Sequence, residues 1–190
     1  SMYLFFDTET ADKPRNWKAP ASDLDNWPRL IQIGWICCDR TERATGSGEY
    51  LIRPEGFTIA RGAMAVHGIT TERALQEGVE LEPVLEEFTR FARKAQVLVA
   101  HNMDFDQKVL QAEFLRTGIV FPVAEKTWRC TMKESTRFCQ LPGPYGYKWP
   151  KLDELYQILF DEPCEEAHSA LADAEACMRS FFELKEMGVI

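Results

Sequence analysis

Residues 4–10, Leu4-Phe5-Phe6-Asp7-Thr8-Glu9-Thr10, end an apolar run with two carboxylates two residues apart. In an extended strand that spacing turns both acids toward one face, with Cα atoms roughly 6.5 Å apart. Met2 to Phe6 has no polar break, which suits a central strand covered on both faces. Taken alone, Asp7 and Glu9 fit equally as solvated turn residues. Partners elsewhere in the chain decide between the two readings.

Downstream, Ala11 to Pro28 is rich in Pro, Asp, Asn and Lys and has no helical or strand period, so it reads as a long loop of the kind that is usually functional. Lys13, Arg15, Trp17 and Lys18 lie in it, directly after the two acids, and fit either a solvated loop or a flap for an anionic, stackable ligand. Leu30 to Cys38 and Glu49 to Arg53 read as strands with Gly46-Ser47-Gly48 as the turn between them. With the first strand they predict an antiparallel meander. Residues 54 to 69 read as irregular and end in Val66-His67-Gly68-Ile69. Thr70 is an N-cap candidate, and Val84, Leu85, Phe88 and Phe91 predict a helix from about Glu82 to Lys94.

Gln96 to His101 is a short apolar strand that turns through Asn102-Met103-Asp104 into a helix. Acids again stand at a strand-to-helix junction, where open sheets covered by helices bind ligands. Asp104 and Asp106 are both candidates; Asp106 would lie in the first helical turn, where the macrodipole favours a carboxylate. A strand at Lys126 to Thr131, a short helix to about Cys139 and a helix over Lys151 to Phe160 follow. Leu141 to Pro150 is a loop by composition, carrying Tyr145, Tyr147 and Trp149. The last segment, His168-Ser169-Ala170-Leu171-Ala172-Asp173, opens a helix running to about Met187. His168 and Asp173 are five residues apart, roughly 140° around a regular helix, so His168 belongs at or before the first turn.

At 190 residues a single domain spanning 1–190 is expected. The opening apolar run is too short for a signal peptide and no segment approaches a membrane span, which predicts a soluble cytoplasmic protein with no membrane partner. For the six cysteines, a chain this long with no export signal predicts reduced thiols rather than a disulfide framework, and the lack of any CxxC pair argues against a zinc site. The net charge of −8 argues against a protein that coats nucleic acid non-specifically through an overall basic face. The charge is patterned, however. Asp153 to Glu175 holds eight carboxylates and no Lys or Arg, whereas Lys126 to Lys151 holds six Lys or Arg against Glu134 alone.

Four acids at strand ends and helix starts, with one histidine, match the needs of two-metal phosphodiester chemistry. Mg2+ or Mn2+ takes carboxylate, water and phosphate oxygens, two such ions stabilise attacking and leaving oxygens, and a histidine titrates near working pH as a general base. The metals would also reverse the local negative charge.

On these motifs the sequence resembles the DEDD exonuclease superfamily with a catalytic histidine, the group that includes the proofreading epsilon subunit of bacterial DNA polymerase III. Phe6-Asp7-Thr8-Glu9-Thr10 matches its first motif, Val99 to Asp106 its second and His168 to Asp173 its third, in the expected order. The resemblance implies that Asp7, Glu9, Asp106 and Asp173 bind two divalent ions, Mg2+ or Mn2+, with His168 as base. It also implies that Thr10, Val66, His67, Asn102 and Phe105 line the pocket for the terminal nucleotide. The implied fold is ribonuclease H-like: a five-stranded mixed α/β sheet, antiparallel meander plus parallel strands, with helices on both faces. The implied activity is 3'-to-5' exonuclease action on single-stranded 3' ends, DNA ahead of RNA, with a DNA polymerase or repair assembly as a candidate partner. Where the family's first motif commonly continues as Thr-Gly, Ala11-Asp12 follows Thr10.

Two other readings compete. A haloacid-dehalogenase-type phosphatase also ends a strand in two acids, but its second acid is usually Asp, where Glu9 stands here, and it leaves His168 and Asp173 without a task. A non-catalytic nucleic-acid-binding module would have no chemical need for the five active-site residue types.

Overall fold

A computed structural model of the chain describes residues 2–121, 125–164 and 169–190. Its centre is a five-stranded sheet in the order β3-β2-β1-β4-β5, formed by β1 (Tyr3–Thr10), β2 (Leu30–Cys38), β3 (Ala44–Leu51), β4 (Val97–Ala100) and β5 (Thr127–Cys130). The β1–β2 and β2–β3 pairs are antiparallel, and β1–β4 and β4–β5 are parallel. This is the mixed α/β, ribonuclease H-like sheet anticipated from the motifs.

Strand β1 is covered on both faces, and side-chain alternation divides the helices between them. Leu4 and Phe6 join Trp35, Leu85, Phe88, Val109 and Leu110 in one core, beneath α3 (Leu81–Lys94) and α4 (Met103–Thr117). Phe5 faces the other way and packs with Val99, Cys177 and Phe181 under α7 (Ala170–Glu186). Asp7 and Glu9 share the face of Phe5, so the sheet pleat delivers them toward α7.

Three features of the structure differ from the reading of the sequence, whereas the N-cap expected at Thr70 is present. The turn expected at Gly46-Ser47-Gly48 is inside β3, and the reversal occurs at Asp39 to Arg43, where the Asp39 carboxylate accepts from the backbone of Thr41 and Arg43. The glycines serve packing instead: a Cβ at Gly46 would lie 2.7 Å from the Phe91 ring and one at Gly48 2.5 Å from Trp35, so bare backbone lets these aromatics lie across the strand. The segment expected to be irregular holds α1 (Arg61–His67), stopped by Gly68 in the left-handed conformation. Thr70 caps a separate short helix, α2 (Thr71–Glu77), accepting from the Arg73 amide. In the loop at 141–150, β6 (Pro142–Gly143) and β7 (Gly146–Tyr147) form a small hairpin, between α5 (Thr131–Cys139) and α6 (Leu152–Phe160).

The 11–28 segment contains neither helix nor strand, as expected, yet it is closely tied. Asn16 and Asn26 exchange hydrogen bonds at 2.7 and 2.9 Å, Trp27 Nε1 donates to the Pro20 carbonyl, and Arg116 donates to the carbonyls of Leu24 and Trp27. Arg116 is itself paired with the fully buried Glu113, which also receives Arg29 and the Leu30 amide. Ala11, at the point where the motif departs from its family, is buried with Ile31, Ile59 and Ile69. Its methyl group is used in packing. Among the described residues no helix is long and apolar enough to cross a membrane.

Candidate active site

The parallel β1–β4 ladder ends at the Phe5–Val99 pair, whereas β1 continues to Thr10. Beyond Phe5 the backbone of β1 therefore has no strand on that side, and its amides need other acceptors. Asp106 supplies one: its Oδ1 accepts from the Thr8 amide at 3.1 Å and from Thr8 Oγ1 at 2.6 Å. The carboxylate reaches that point because Asn102 adopts a left-handed conformation (φ 78°) after β4 and starts α4 abruptly, a conformation asparagine tolerates.

On the other face, α7 brings in Asp173. Its first turn sits directly on the sheet at the row Asp7–Gly34–Glu49. The orphan amides of the helix start are taken in turn: Ala170 donates to Gln32 Oε1 at 3.0 Å, Leu171 to Glu49 Oε2 at 2.8 Å, and Ala172 to Ser169 Oγ at 3.2 Å. Gly34 allows this contact, since a Cβ there would lie 2.2 Å from the Leu171 nitrogen.

Asp7, Glu9 and Asp173 each offer a carboxylate oxygen, and these oxygens all lie within 4.8 Å of one another. Asp7 Oδ2 is buried with no hydrogen-bond partner. Burial, followed by the charge of Asp106 and then those of Glu9 and Asp173, holds the Asp7 carboxyl well above the usual carboxylate range. Burial and the charges of Asp173 and Asp106 push Glu9 up to about 8. Asp106 is pushed up to about 7 by burial, an effect opposed by its two Thr8 hydrogen bonds. Crowded buried acids of this kind repel one another in the absence of a cation. The oxygen-only donor set and the orphaned Asp7 Oδ2 fit a hard divalent ion.

These shifts have a thermodynamic consequence. The raised acids retain protons in the folded chain that they have lost in the unfolded one, between about pH 4 and the folded values near 7 and 8. Their contribution to stability is therefore full below about pH 4 and falls as pH rises through that window. Melting in EDTA should decline by several degrees between about pH 5 and pH 8, and saturating Mg2+ should abolish the decline. A flat EDTA profile would contradict it.

The other residues singled out from sequence lie around this cluster in different states. Thr10 is buried and its hydroxyl donates to the Asp12 carbonyl. His67 is buried, with Nε2 at 3.0 Å from the Thr10 carbonyl and Nδ1 accepting from the Ile69 amide. Both ring nitrogens are thus committed to backbone, and burial lowers its pKa. Val66 is exposed. Phe105 is half-buried, with the Trp17 ring 5.4 Å away and that of Trp27 at 6.4 Å. Asn102 makes no side-chain cap bond to α4. Asp104 points away from the cluster, is exposed, and pairs with Lys133. His168 lies outside the described residues.

Thr8, Gln32, Gly34 and Glu49 were not singled out from sequence, although they position the acids. Thr8 carried a signal, because a hydroxyl between two same-face acids points toward the opposite side. The other three are set by cross-strand register and the docking of a distant helix. His101 is a further positioning residue: Nδ1 lies 2.8 Å from Thr131 Oγ1 and Nε2 2.8 Å from the Pro150 carbonyl, which ties the end of β4 to the aromatic loop.

Residues 4–181 match the RNase T exonuclease family. The chain belongs to this family. It is 26% identical over 160 residues to a PolC-type DNA polymerase III of Caldanaerobacter subterraneus subsp. tengcongensis, covering 84% of this chain and 11% of that protein. Among solved structures it resembles E. coli exonuclease I in complex with a dT13 oligonucleotide, with a TM-score of 0.76 and 20% identity over 97% of this chain and 41% of that one. The zinc-bound complex of E. coli exonuclease I with single-stranded DNA gives 0.77 and 18%, over 98% and 41%. The exonuclease-family chain thus spans about a tenth of its curated relative and about two fifths of these solved chains. At these identities the structural likeness is one of fold.

Proposed function

We propose that this chain is a metal-dependent 3'-to-5' exonuclease that hydrolyses the terminal phosphodiester of single-stranded nucleic acid, DNA ahead of RNA, releasing nucleoside 5'-monophosphates. The observation that carries the proposal is the convergence of Asp7, Glu9 and Asp173 within 4.8 Å, with Asp106 held beside them by Thr8. Membership of an exonuclease family gives that cluster its chemistry.

Asp7, Glu9, Asp106 and Asp173 would hold two Mg2+ or Mn2+ ions, which when bound supply charge for the attacking and leaving oxygens of an in-line displacement. Thr8 fixes Asp106 through Oδ1. His168, one residue before the Ser169 cap of α7, is the proposed base that takes a proton from the attacking water; an imidazole titrates near neutral pH. Thr10, Val66, His67, Asn102 and Phe105 are the proposed surroundings of the terminal nucleotide. Val66 and Phe105 would offer apolar surface, and His67 would act by holding Thr10 in place, because its nitrogens are already occupied. The oligonucleotide and single-stranded DNA complexes of E. coli exonuclease I support a single strand as substrate. The PolC-type relative supports a polymerase or repair assembly as partner.

The test is release of a 3' label from single-stranded DNA, duplex DNA and RNA compared side by side in Mg2+. Single-stranded DNA should be cleaved fastest, and EDTA should stop the reaction. His168→Ala should lower turnover by about 10²- to 10⁴-fold while retaining the rise in melting temperature on adding Mg2+. Label release that persists in EDTA would overturn the metal assignment. Unchanged turnover in the variant would remove His168 as the base.

A further inference from the structure

The first turn of α4 carries more than Asp106. Phe105 supports the Trp17 ring at 5.4 Å between centroids, and Trp17 remains 52% exposed. The adjacent Asp104 pairs with Lys133, whose ammonium lies 5.6 Å from the centre of the Trp149 ring; Trp149 remains 58% exposed. Two large aromatic rings from opposite ends of the chain are therefore linked to neighbouring residues of the turn that places an acid in the cluster. Each has only part of its surface covered.

Neither ring stands on a loose segment. The loop bearing Trp17 is locked by the Asn16–Asn26 exchange and by Arg116, and the backbone beside Trp149 is held by His101 at the Pro150 carbonyl. A rigid frame that keeps an indole half in water forgoes the burial of its remaining area, which is consistent with that surface being reserved for a ligand. The surroundings define the ligand. Lys13 and Lys18 are exposed on either side of Trp17, and Lys133 adjoins Trp149, although the chain as a whole carries a charge of −8. Cations interleaved with open aromatic faces suit a polyanion with planar groups, and a strand of unpaired bases has both.

The geometry points to Trp17 and Trp149 as two stacking platforms for unpaired bases of the strand whose 3' end enters the acidic cluster. Bases paired in a duplex cannot lie on them, so the platforms would select single strands irrespective of sequence. The ligand follows from the exonuclease proposal, but the platforms are tested by binding rather than cleavage.

The experiment measures anisotropy of a 5'-fluorescein oligothymidylate in EDTA, where hydrolysis is silent, with an abasic strand of the same length and phosphate count as comparison. Trp17→Ala and Trp149→Ala should each weaken oligothymidylate binding by about tenfold and the double variant by about a hundredfold. Trp17→Phe should retain most of the affinity. The abasic strand should bind wild type about as weakly as oligothymidylate binds the double variant. Both rings are half exposed and stand on separate segments, so melting curves check each variant independently. Unchanged affinity in the folded double variant, or equal affinity of the wild type for both strands, overturns the assignment. Trp-dependent binding without any label release in Mg2+ would support the platforms while defeating the exonuclease reading; label release with Trp-independent binding would do the reverse.

Discussion

Asp7→Asn should reduce 3'-label release by about a thousandfold or more and, in EDTA near pH 8, should raise the melting temperature. The two effects have one origin. Asp7 is crowded by Glu9, Asp106 and Asp173, and burial with these charges holds its carboxyl far above the ordinary range; Oδ2 has no partner. Asparagine keeps the shape, removes the cost of burying an ionisable carboxyl among other acids and offers an amide donor to them, so the metal-free fold should gain about 1–2 kcal/mol, a few degrees for a chain of this size. A divalent ion stabilises wild type through binding that depends on the same charge. Adding Mg2+ should therefore narrow or reverse the difference in melting temperature while leaving the variant inactive. The catalytic loss follows because charge stabilisation of this kind is worth several kcal/mol, and each 1.36 kcal/mol is tenfold in rate. An active variant would contradict the assignment of Asp7. A variant that melts below wild type in EDTA would show that the buried carboxylate stabilises the fold.

The acids were legible in the sequence because their placement depends on local rules. Two residues apart on a strand means the same face, which gives Asp7 and Glu9, and a helix beginning after β4 puts acids in its first turn, which gives Asp104 and Asp106 together. The choice of Asp106 over Asp104 required more, since both are helix-start acids by spacing. The structure separates them through the parallel ladder ending at Phe5 and Val99, which leaves the Thr8 amide for Asp106 and turns Asp104 to solvent beside Lys133. The glycines of β3 were misread because Gly-Ser-Gly is ordinarily punctuation. Here the rings of Trp35 and Phe91, distant in sequence, require bare backbone at those positions. The basic strip is also changed by its hydrogen-bond partners, two of them near in sequence and one distant. Lys126 donates to the Ala95 carbonyl, Arg129 pairs with Glu134, and Lys148 pairs with Glu154, so much of its charge is directed at the protein. What sequence spacing could not supply was the distance between segments, which depends on register and helix docking.

Gly34→Ala tests that dependence most directly. Gly34, in β2, lies opposite Asp7 of β1 and opposite Glu49 of β3, beneath the first turn of α7. An added methyl carbon would stand 2.2 Å from the Leu171 nitrogen, 2.5 Å from the Ala170 carbonyl carbon and 2.6 Å from the Leu171 Cα. These neighbours are backbone and cannot rotate away. Helix α7 must lift, stretching the bonds from Ala170 to Gln32 and from Leu171 to Glu49 and withdrawing Asp173 from Asp7 and Glu9. Overpacking of this kind costs roughly 1–3 kcal/mol, and a displacement near 1 Å in a catalytic constellation costs about a hundredfold in rate. The variant should therefore melt several degrees lower than wild type, lose about two orders of magnitude in label release, and require more Mg2+ to reach its residual rate. The increased metal requirement distinguishes withdrawal of a ligand from general loosening, which would lower stability without changing the Mg2+ dependence of the folded fraction. If Gly34→Ala retained both wild-type turnover and the wild-type Mg2+ response, the contact between β2 and α7 would not be what sets the position of Asp173.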